Sequence, residues 1–504
     1  MRAAPRSRLI VVSNRLPLKV ERTGPAVCHV SPGTGGLVSA MAPVMRARGG
    51  VWIGWPGTSG NDELLRKEFR RAGQREGYRF EPVFLTREER DAFYYGFSNE
   101  VVWPLFHDLQ SLCRFDPAYW RGYLAVNRRY ADVIEKRTTH ADFIWVHDYQ
   151  LMGVGSALRD LGHEACCAFF LHIPFPSPDI FGKLPWRESV LRSLFAYDLV
   201  GFQTRRDRRN FLDCIDQFLP DAEVSGRGQS LVRLRLGERE SRAGWFPIGI
   251  DHNDFYRRAN SPEVVRRAHD LRRLLPDRHL ILGIDRLDYT KGIPERLCAF
   301  RNALERYPDL HERVTLIQIV VPSRADIPQY QELKSRIENL VGEINGRFTR
   351  PGGWVPIHYV FRALEPDDLL AFYHACQIAL ITPLKDGMNL VAKEYCACDP
   401  DENGVLILSE FAGAAVQMAS GALLVNPCDI EAVADTLHTA FLMSGGERRA
   451  RMRRLRRGIR RQDVFWWVDT FMSAATGAIT AARPTHAGRP SHAVQPCSAT
   501  PRPH

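Results

Sequence analysis

The chain has 504 residues, 45% of them apolar and 25% charged, with a formal net charge of +10. That is ordinary globular composition at a length beyond what one core usually supports, so two domains are the default. No window approaches the roughly 20 apolar residues that cross a bilayer, and Leu9 to Val12 is too short for a signal peptide's apolar segment, which excludes membrane insertion and export and points to the cytoplasm.

In chain order, short runs rich in Val, Ile, Leu and Phe alternate with helical patterns, as buried parallel strands of an α/β protein do. The runs are Leu9 to Val12, Phe143 to Val146, Ala168 to Leu171, Leu199 to Phe202, Leu280 to Ile284, Val314 to Val321, Ile378 to Ile381, Val405 to Leu408 and Ala422 to Val425. They fall into two groups. Glu223 to Arg242 reads as polar and broken, and Phe246-Pro247-Ile248-Gly249-Ile250-Asp251 starts a new block, which places a boundary near residue 250. The sequence therefore predicts two doubly wound domains, residues 1–250 and 251–475, facing a cleft, and a disordered tail over 476–504. The densest positive charge, Arg448 to Arg461, has Met452, Leu455 and Ile459 at helical spacing. Its arginines read as the solvated face of an amphipathic helix rather than a nucleic-acid surface. The eleven cysteines form no C-x-x-C pair and read as reduced, packed thiols.

Ligands of doubly wound sheets bind beyond the carboxyl ends of the strands. Those positions carry Ser13-Asn14-Arg15, His147-Asp148, His172, Asp285-Arg286, Ser323-Arg324 and Asp386-Gly387, a set suited to an anionic, hydroxyl-rich ligand. Gly33-Thr34-Gly35-Gly36-Leu37 is a glycine-rich turn entering a helix, where bare amides can hold a phosphate; a plain turn explains it about as well. Arg286 and Lys291 sit five residues apart beside Gly292 and can neutralise a departing diphosphate, unless they simply pair with Asp285 and Asp288. In Pro383 to Glu394 a strand opens into a helix: Asp386 can accept from sugar hydroxyls and Glu394 can grip a ribose diol, against the plainer roles of helix cap and ion-pair partner. His172 precedes the rigid turn Ile173-Pro174-Phe175-Pro176, which would fix its imidazole at the cleft, although a lone histidine after a strand is more often structural. His147-Asp148 has no third metal ligand at suitable spacing, and Asp399-Pro400-Asp401 sits in a loop, so neither a metal nor any other cofactor is expected.

Together the segments VSNRLP, GGL, FSNEVVWPLFH, WVHDYQL, FFLHIPFPSPDIF, AYDLVGFQT, FPIGID, RLDYTKG, PSR and PLKDGMNLVAKE resemble the trehalose-6-phosphate synthases over Ser7 to Phe471. These are GT-B glycosyltransferases built from two facing Rossmann-like domains, the final helix returning to the first. By position, the resemblance implies that Gly35 and Gly36 lie on the donor diphosphate, that Arg286 and Lys291 neutralise it, and that His172 and Asp386 hold the transferred glucose. It further implies that Glu394 binds the ribose, and that the backbone of Leu390, Val391, Ala392, Lys393 and Glu394, with Leu364 near the base, holds the nucleotide. On the acceptor side it implies Arg15, Tyr94 and Arg324 for the phosphate, Asp148 for a sugar hydroxyl and Trp103 for the pocket wall. The implied reaction is metal-independent, retaining transfer of glucose from UDP-glucose to glucose 6-phosphate, with GDP- or ADP-glucose also open because Val360 to Leu364 departs from the familiar pattern. The implied partners are those small molecules; a homo-oligomer stays open. A glucosylglycerol-phosphate synthase and a catalytically silent subunit are the competing readings.

Overall fold

The computed structural model describes residues 8–22, 28–33, 35–58, 63–323, 327–349 and 353–477. Of the expected tail over 476–504, Thr476 ends the last helix and Gly477 caps it, while residues 478–504 lie outside the described residues, as does Arg324.

Two sheets carry the fold. The first has nine strands, and its parallel part is ordered Arg79–Pro82, Val51–Trp55, Leu9–Arg15, Phe143–His147, Cys166–Phe170, Leu199–Phe202, Arg239–Trp245. The chain winds outward from Leu9–Arg15 in one direction, then restarts beside it at Phe143–His147, so the switch point lies between these two strands. The second sheet is fully parallel: Ile357–Phe361, Val314–Val321, His279–Arg286, Ile378–Ile381, Val405–Ser409, Leu423–Val425. Its switch point lies between His279–Arg286 and Ile378–Ile381. Ligand crevices open at such points, which selects Arg15, Asp148, Arg286 and Asp386 from the many strand-end residues.

All nine apolar runs read from the sequence form strands; eight are largely buried on both faces, while the ninth, Leu423–Val425, is an edge strand that leaves Leu424 exposed. The stretch Glu223 to Arg242 is different from its reading. It contributes to three strands, Ala222–Ser225, Leu231–Leu236 and Arg239–Trp245; the first two pair antiparallel and extend the sheet edge. Leu231–Leu236 alternates apolar and arginine residues, burying Val232 and Leu234 while Arg233 and Arg235 face water, which gives a strand covered on one side.

The arginine-rich segment forms the helix Gly445–Arg461, with Met452, Leu455 and Ile459 buried as expected. Arg448 departs from the solvated face. Its guanidinium turns inward to donate to the carbonyls of Ala440, Phe441 and Met443, capping the preceding helix Ile430–Leu442. The last helix, Val464–Thr476, lies on the first sheet, with Phe471 stacked on Trp145 at 4.3 Å. Gly249 passes so close to Asp463 that a side chain there would collide with its backbone. Nine cysteines of the described residues are free thiols, and no described helix is long and apolar enough to cross a membrane.

Candidate active site

The second sheet supplies the charged half. Arg286 ends its strand, and Asp288 starts the following turn by accepting from Thr290 N and Oγ1 at 3.1 and 2.9 Å. That turn presents Lys291, whose Nζ donates to Asp386 Oδ2 at 2.5 Å. Gly292 takes a left-handed φ of 62° and packs against the Thr382 carbonyl, a place no side chain could occupy. Beneath the turn the fully buried pair Arg296–Asp285, 2.7 Å apart, ties the strand to the helix Ile293–Arg306. Asp285 therefore belongs to Arg296, and Lys291 to Asp386. The plain pairing of Arg286 and Lys291 with their neighbouring aspartates is not what the chain adopts. Burial works to raise the Asp386 pKa, but the charge and hydrogen bond of Lys291 outweigh it, and the carboxyl stays below its ordinary range.

Asp386 also accepts from Met388 N at 3.2 Å, while Asn389, at φ 72°, caps the helix Leu390–Ala397 through Ala392 N. This cap occupies the Ala392 amide, and the amides of Leu390 and Val391 are the ones a helix start leaves without internal acceptors. Glu394 is 8% exposed and accepts from Tyr373 Oη at 2.8 Å; burial raises its pKa against that hydrogen bond. The Lys393 side chain points away from the helix start, donating to Ile248 O and Gln417 Oε1, both at 2.6 Å, and burial lowers its pKa to about 7. Leu364 follows the edge strand Ile357–Phe361, two strands from Arg286, and packs on the apolar group that Leu390 and Val391 also join.

The first sheet brings the uncharged half. His147 Nδ1 lies 3.1 Å from His172 Nε2, and Gln203 Nε2 donates to His172 Nδ1 at 3.4 Å. Gln203 Oε1 accepts from Ile248 N, which fixes the amide's orientation and hence leaves His172 Nε2 carrying the proton. Both ring nitrogens are engaged with protein, and burial pushes the ring's pKa down to about 3, so it stays neutral. It is the carbonyl oxygen of His172 that meets the loop after Ile378–Ile381, where Gly387 packs against it with no room for a Cβ. Asp148, at φ 75°, accepts from His172 N at 3.2 Å; burial raises its pKa to about 6 although Arg286 pulls the other way.

The halves meet in three further places. Gly36, opening the helix Gly36–Arg48 behind Gly35 at φ 143°, faces the Leu390 side chain, which a Cβ on Gly36 would touch at 3.4 Å. The Arg286 guanidinium lies 6.0 Å from the Trp103 ring, which itself packs 5.7 Å from Tyr149. Lys385 Nζ and Asp108 Oδ2 close to 2.5 Å. At the end of the first strand, Arg15 rests on Trp55 with 4.7 Å to the ring centroid, and Trp55 contacts Tyr94 at 6.2 Å. Tyr94 rides on a π-helical run, Asp91–Val102, whose i to i+5 bonding continues into Trp103 N donating to Ser98 O.

The structure thus brings Gly36 to Leu390, Lys291 to Asp386, Arg286 to Trp103 and Asp148 to His172 around the two switch points, with Gly35 beside Gly36, while Arg15 and Tyr94 form a separate group on Trp55. Trp55, Asp108, Gln203 and Tyr373 also take part and escaped the sequence reading. Each lies far along the chain from the residue it supports, so spacing carries no signal for it. Among the described residues no three histidine, cysteine or carboxylate side chains gather as metal ligands.

The glycosyltransferase family 20 model matches residues 7–476. The trehalose-6-phosphate synthase of Mycobacterium avium is 41% identical over 474 residues, covering 93% of this chain and 95% of its own. Among solved structures, a UDP-forming α,α-trehalose-phosphate synthase from Burkholderia xenovorans in complex with glucose 6-phosphate superposes with a TM-score of 0.85 at 35% identity, covering 94% of this chain and all of its own. An E. coli structure bound with UDP-2-fluoro glucose gives 0.82 at 36% identity over 93% of this chain and 99% of its own.

Proposed function

The chain belongs to glycosyltransferase family 20, and from that premise we propose that it moves glucose from UDP-glucose to glucose 6-phosphate with retention, releasing trehalose 6-phosphate and UDP. One observation carries the reading: cations from the second sheet and the His172 and Asp148 backbone turns of the first converge on a single crevice between the two switch points.

In this reading the diphosphate lies between the Gly35-Gly36 turn and the Leu390 helix start, its charge met by Arg286 and Lys291. Glu394 holds the ribose against the Tyr373 hydroxyl, and the Leu390 and Val391 amides take phosphate oxygens. Asp386, kept ionised by Lys291, and the His172 carbonyl accept hydroxyls of the glucose. The acceptor phosphate sits on Arg15, with Tyr94 and Arg324 completing its binding, and Asp148 orients the acceptor sugar beside Trp103. A retaining glycosidase would need a free carboxylate nucleophile. Here Asp386 is committed to Lys291, so the departing phosphate takes the acceptor's proton on the same face. Closure over the crevice keeps water out of the transfer. Free thiols fit a reducing cytoplasm.

The division into domains at about residue 250 is part of the same proposal, with Ile248 and Gly249 as the crossing point. The decisive experiment incubates the purified protein with UDP-, GDP- or ADP-glucose and either glucose 6-phosphate or glycerol 3-phosphate. Trehalose 6-phosphate should be the product and UDP-glucose the best donor; transfer to glycerol 3-phosphate alone, or no transfer at all, would overturn the assignment.

A further inference from the structure

A cavity of about 460 Å³, sharing no lining residue with the crevice, is lined by Arg205, Arg206, Arg208, Arg209 and Arg227. Four of these come from the first turn and a half of the helix Arg205–Phe218, so the positive end of that helix adds to their charge. Asp213 is the one carboxylate in the lining, and it is already held by Arg227, which also binds Asp216.

Two of the other arginines, Arg205 and Arg208, are fixed without neutralisation, while Arg206 and Arg209 are exposed. Arg205 lies flat on Trp245 with 4.7 Å to the ring centroid. Arg208 is only 9% exposed; its Nη1 donates to the carbonyls of Gln229 and Ser230, both at 2.8 Å, while its buried Nε has no acceptor. Burying a guanidinium with no counter-charge is costly, and preordered guanidinium groups around one cavity are what a phosphate ligand recognises. The volume falls within the usual range for small-molecule sites.

We propose that this cavity binds a small anion carrying two phosphate groups, at a site separate from the transfer crevice. One phosphate engages two or three guanidinium groups, and the four arginines free of carboxylates suit two. The proposal does not depend on the reaction assigned to the crevice.

The test is calorimetric titration of the full chain, held saturated with UDP and glucose 6-phosphate, with inorganic pyrophosphate, a hexose bisphosphate or orthophosphate. At least one of the two-phosphate probes should bind one site per chain, at least about 10-fold tighter than orthophosphate. The stronger of the two identifies an inorganic or an organic source. Arg206→Gln combined with Arg209→Gln, both exposed side chains, should weaken that binding at least about 10-fold while leaving UDP affinity and Tm unchanged. Arg205→Gln alone should weaken it in the same sense. Absence of binding under UDP saturation, equal affinity for orthophosphate, or affinity unchanged in both variants would overturn the proposal.

Discussion

Lys291 and Asp386, 95 residues apart in sequence, form a 2.5 Å ion pair across the switch point of the second sheet, with side chains 13% and 14% exposed. Such partial burial makes the pair stronger than a surface salt bridge, and breaking it leaves a charge poorly solvated. In the proposed reaction the pair would position the ammonium before a diphosphate arrives and keep the carboxylate ionised for a sugar hydroxyl.

Lys291→Ala should lower kcat at least about 10-fold, because a charge-assisted bond that strengthens as the diphosphate departs is worth about 1.5 to 3 kcal/mol. Arg286→Ala should do the same. Asp386→Ala should also lower kcat, but the Lys291→Ala/Asp386→Ala double variant should lose less than the product of the single losses, since each single change strands the other partner. Steady-state rates of the four proteins decide it, and strictly multiplicative losses would show that the pair does not act as a unit.

Lys393 should make stability depend on pH. Its pKa is about 7 in the folded chain against an ordinary 10.5. Between those values the unfolded chain binds more protons, so this group makes stability rise with pH through that window and adds no slope well below it. Lys393→Met should remove the rise, a difference of up to about 1.4 kcal/mol per pH unit between the two proteins. Denaturant melts from about pH 6 to pH 9 measure it; parallel curves would mean that Lys393 stays charged against Ile248 O and Gln417.

The strands were legible because a parallel strand buried on both faces must be a continuous apolar run, as in Val314–Val321, and the strand ends then pointed to Arg15, Asp148, Arg286 and Asp386. The edge strands Arg79–Pro82 and Ile357–Phe361 are short and only partly buried, so neither shows the continuous apolar run of a central strand. The His172 ring shows a different limit. The sequence places the residue at the crevice, but only the fold brings His147 and Gln203 to its two nitrogens and leaves the carbonyl facing Gly387. Long-range partners of this kind are set by strand order, which no local pattern encodes.

Asp148 should give the acceptor reaction an acid limb. Burial raises its pKa to about 6, so lowering the pH through that value protonates the carboxyl and removes its capacity to accept from a sugar hydroxyl. kcat/KM for glucose 6-phosphate should fall below about pH 6. The acceptor phosphate titrates near the same pH, so the comparison is with Asp148→Asn, which should be slower throughout and show a shallower limb. Identical pH profiles for both proteins would remove Asp148 from acceptor binding.

The acceptor phosphate gives the sharpest test, because two different substitutions should produce one phenotype. Arg15 ends the first strand, lies on Trp55, and packs its guanidinium against Gly57, whose φ of 86° and closeness leave no space for a Cβ. Arg15→Ala removes a charged partner of the phosphate, costing roughly 1.5 to 3 kcal/mol, or about 10- to 150-fold in kcat/KM for glucose 6-phosphate. Gly57→Ala keeps the guanidinium but forces it off Trp55, and should raise the same KM in the same direction, by a smaller factor. Donor affinity measured without acceptor should barely change in either variant. Unphosphorylated glucose, which never uses the arginine, should be turned over at unaltered efficiency. Arg324→Ala should match Arg15→Ala if both hold one phosphate. If glucose and glucose 6-phosphate were weakened equally, or if UDP-glucose binding fell instead, Arg15 would have to be moved from the acceptor phosphate to another role.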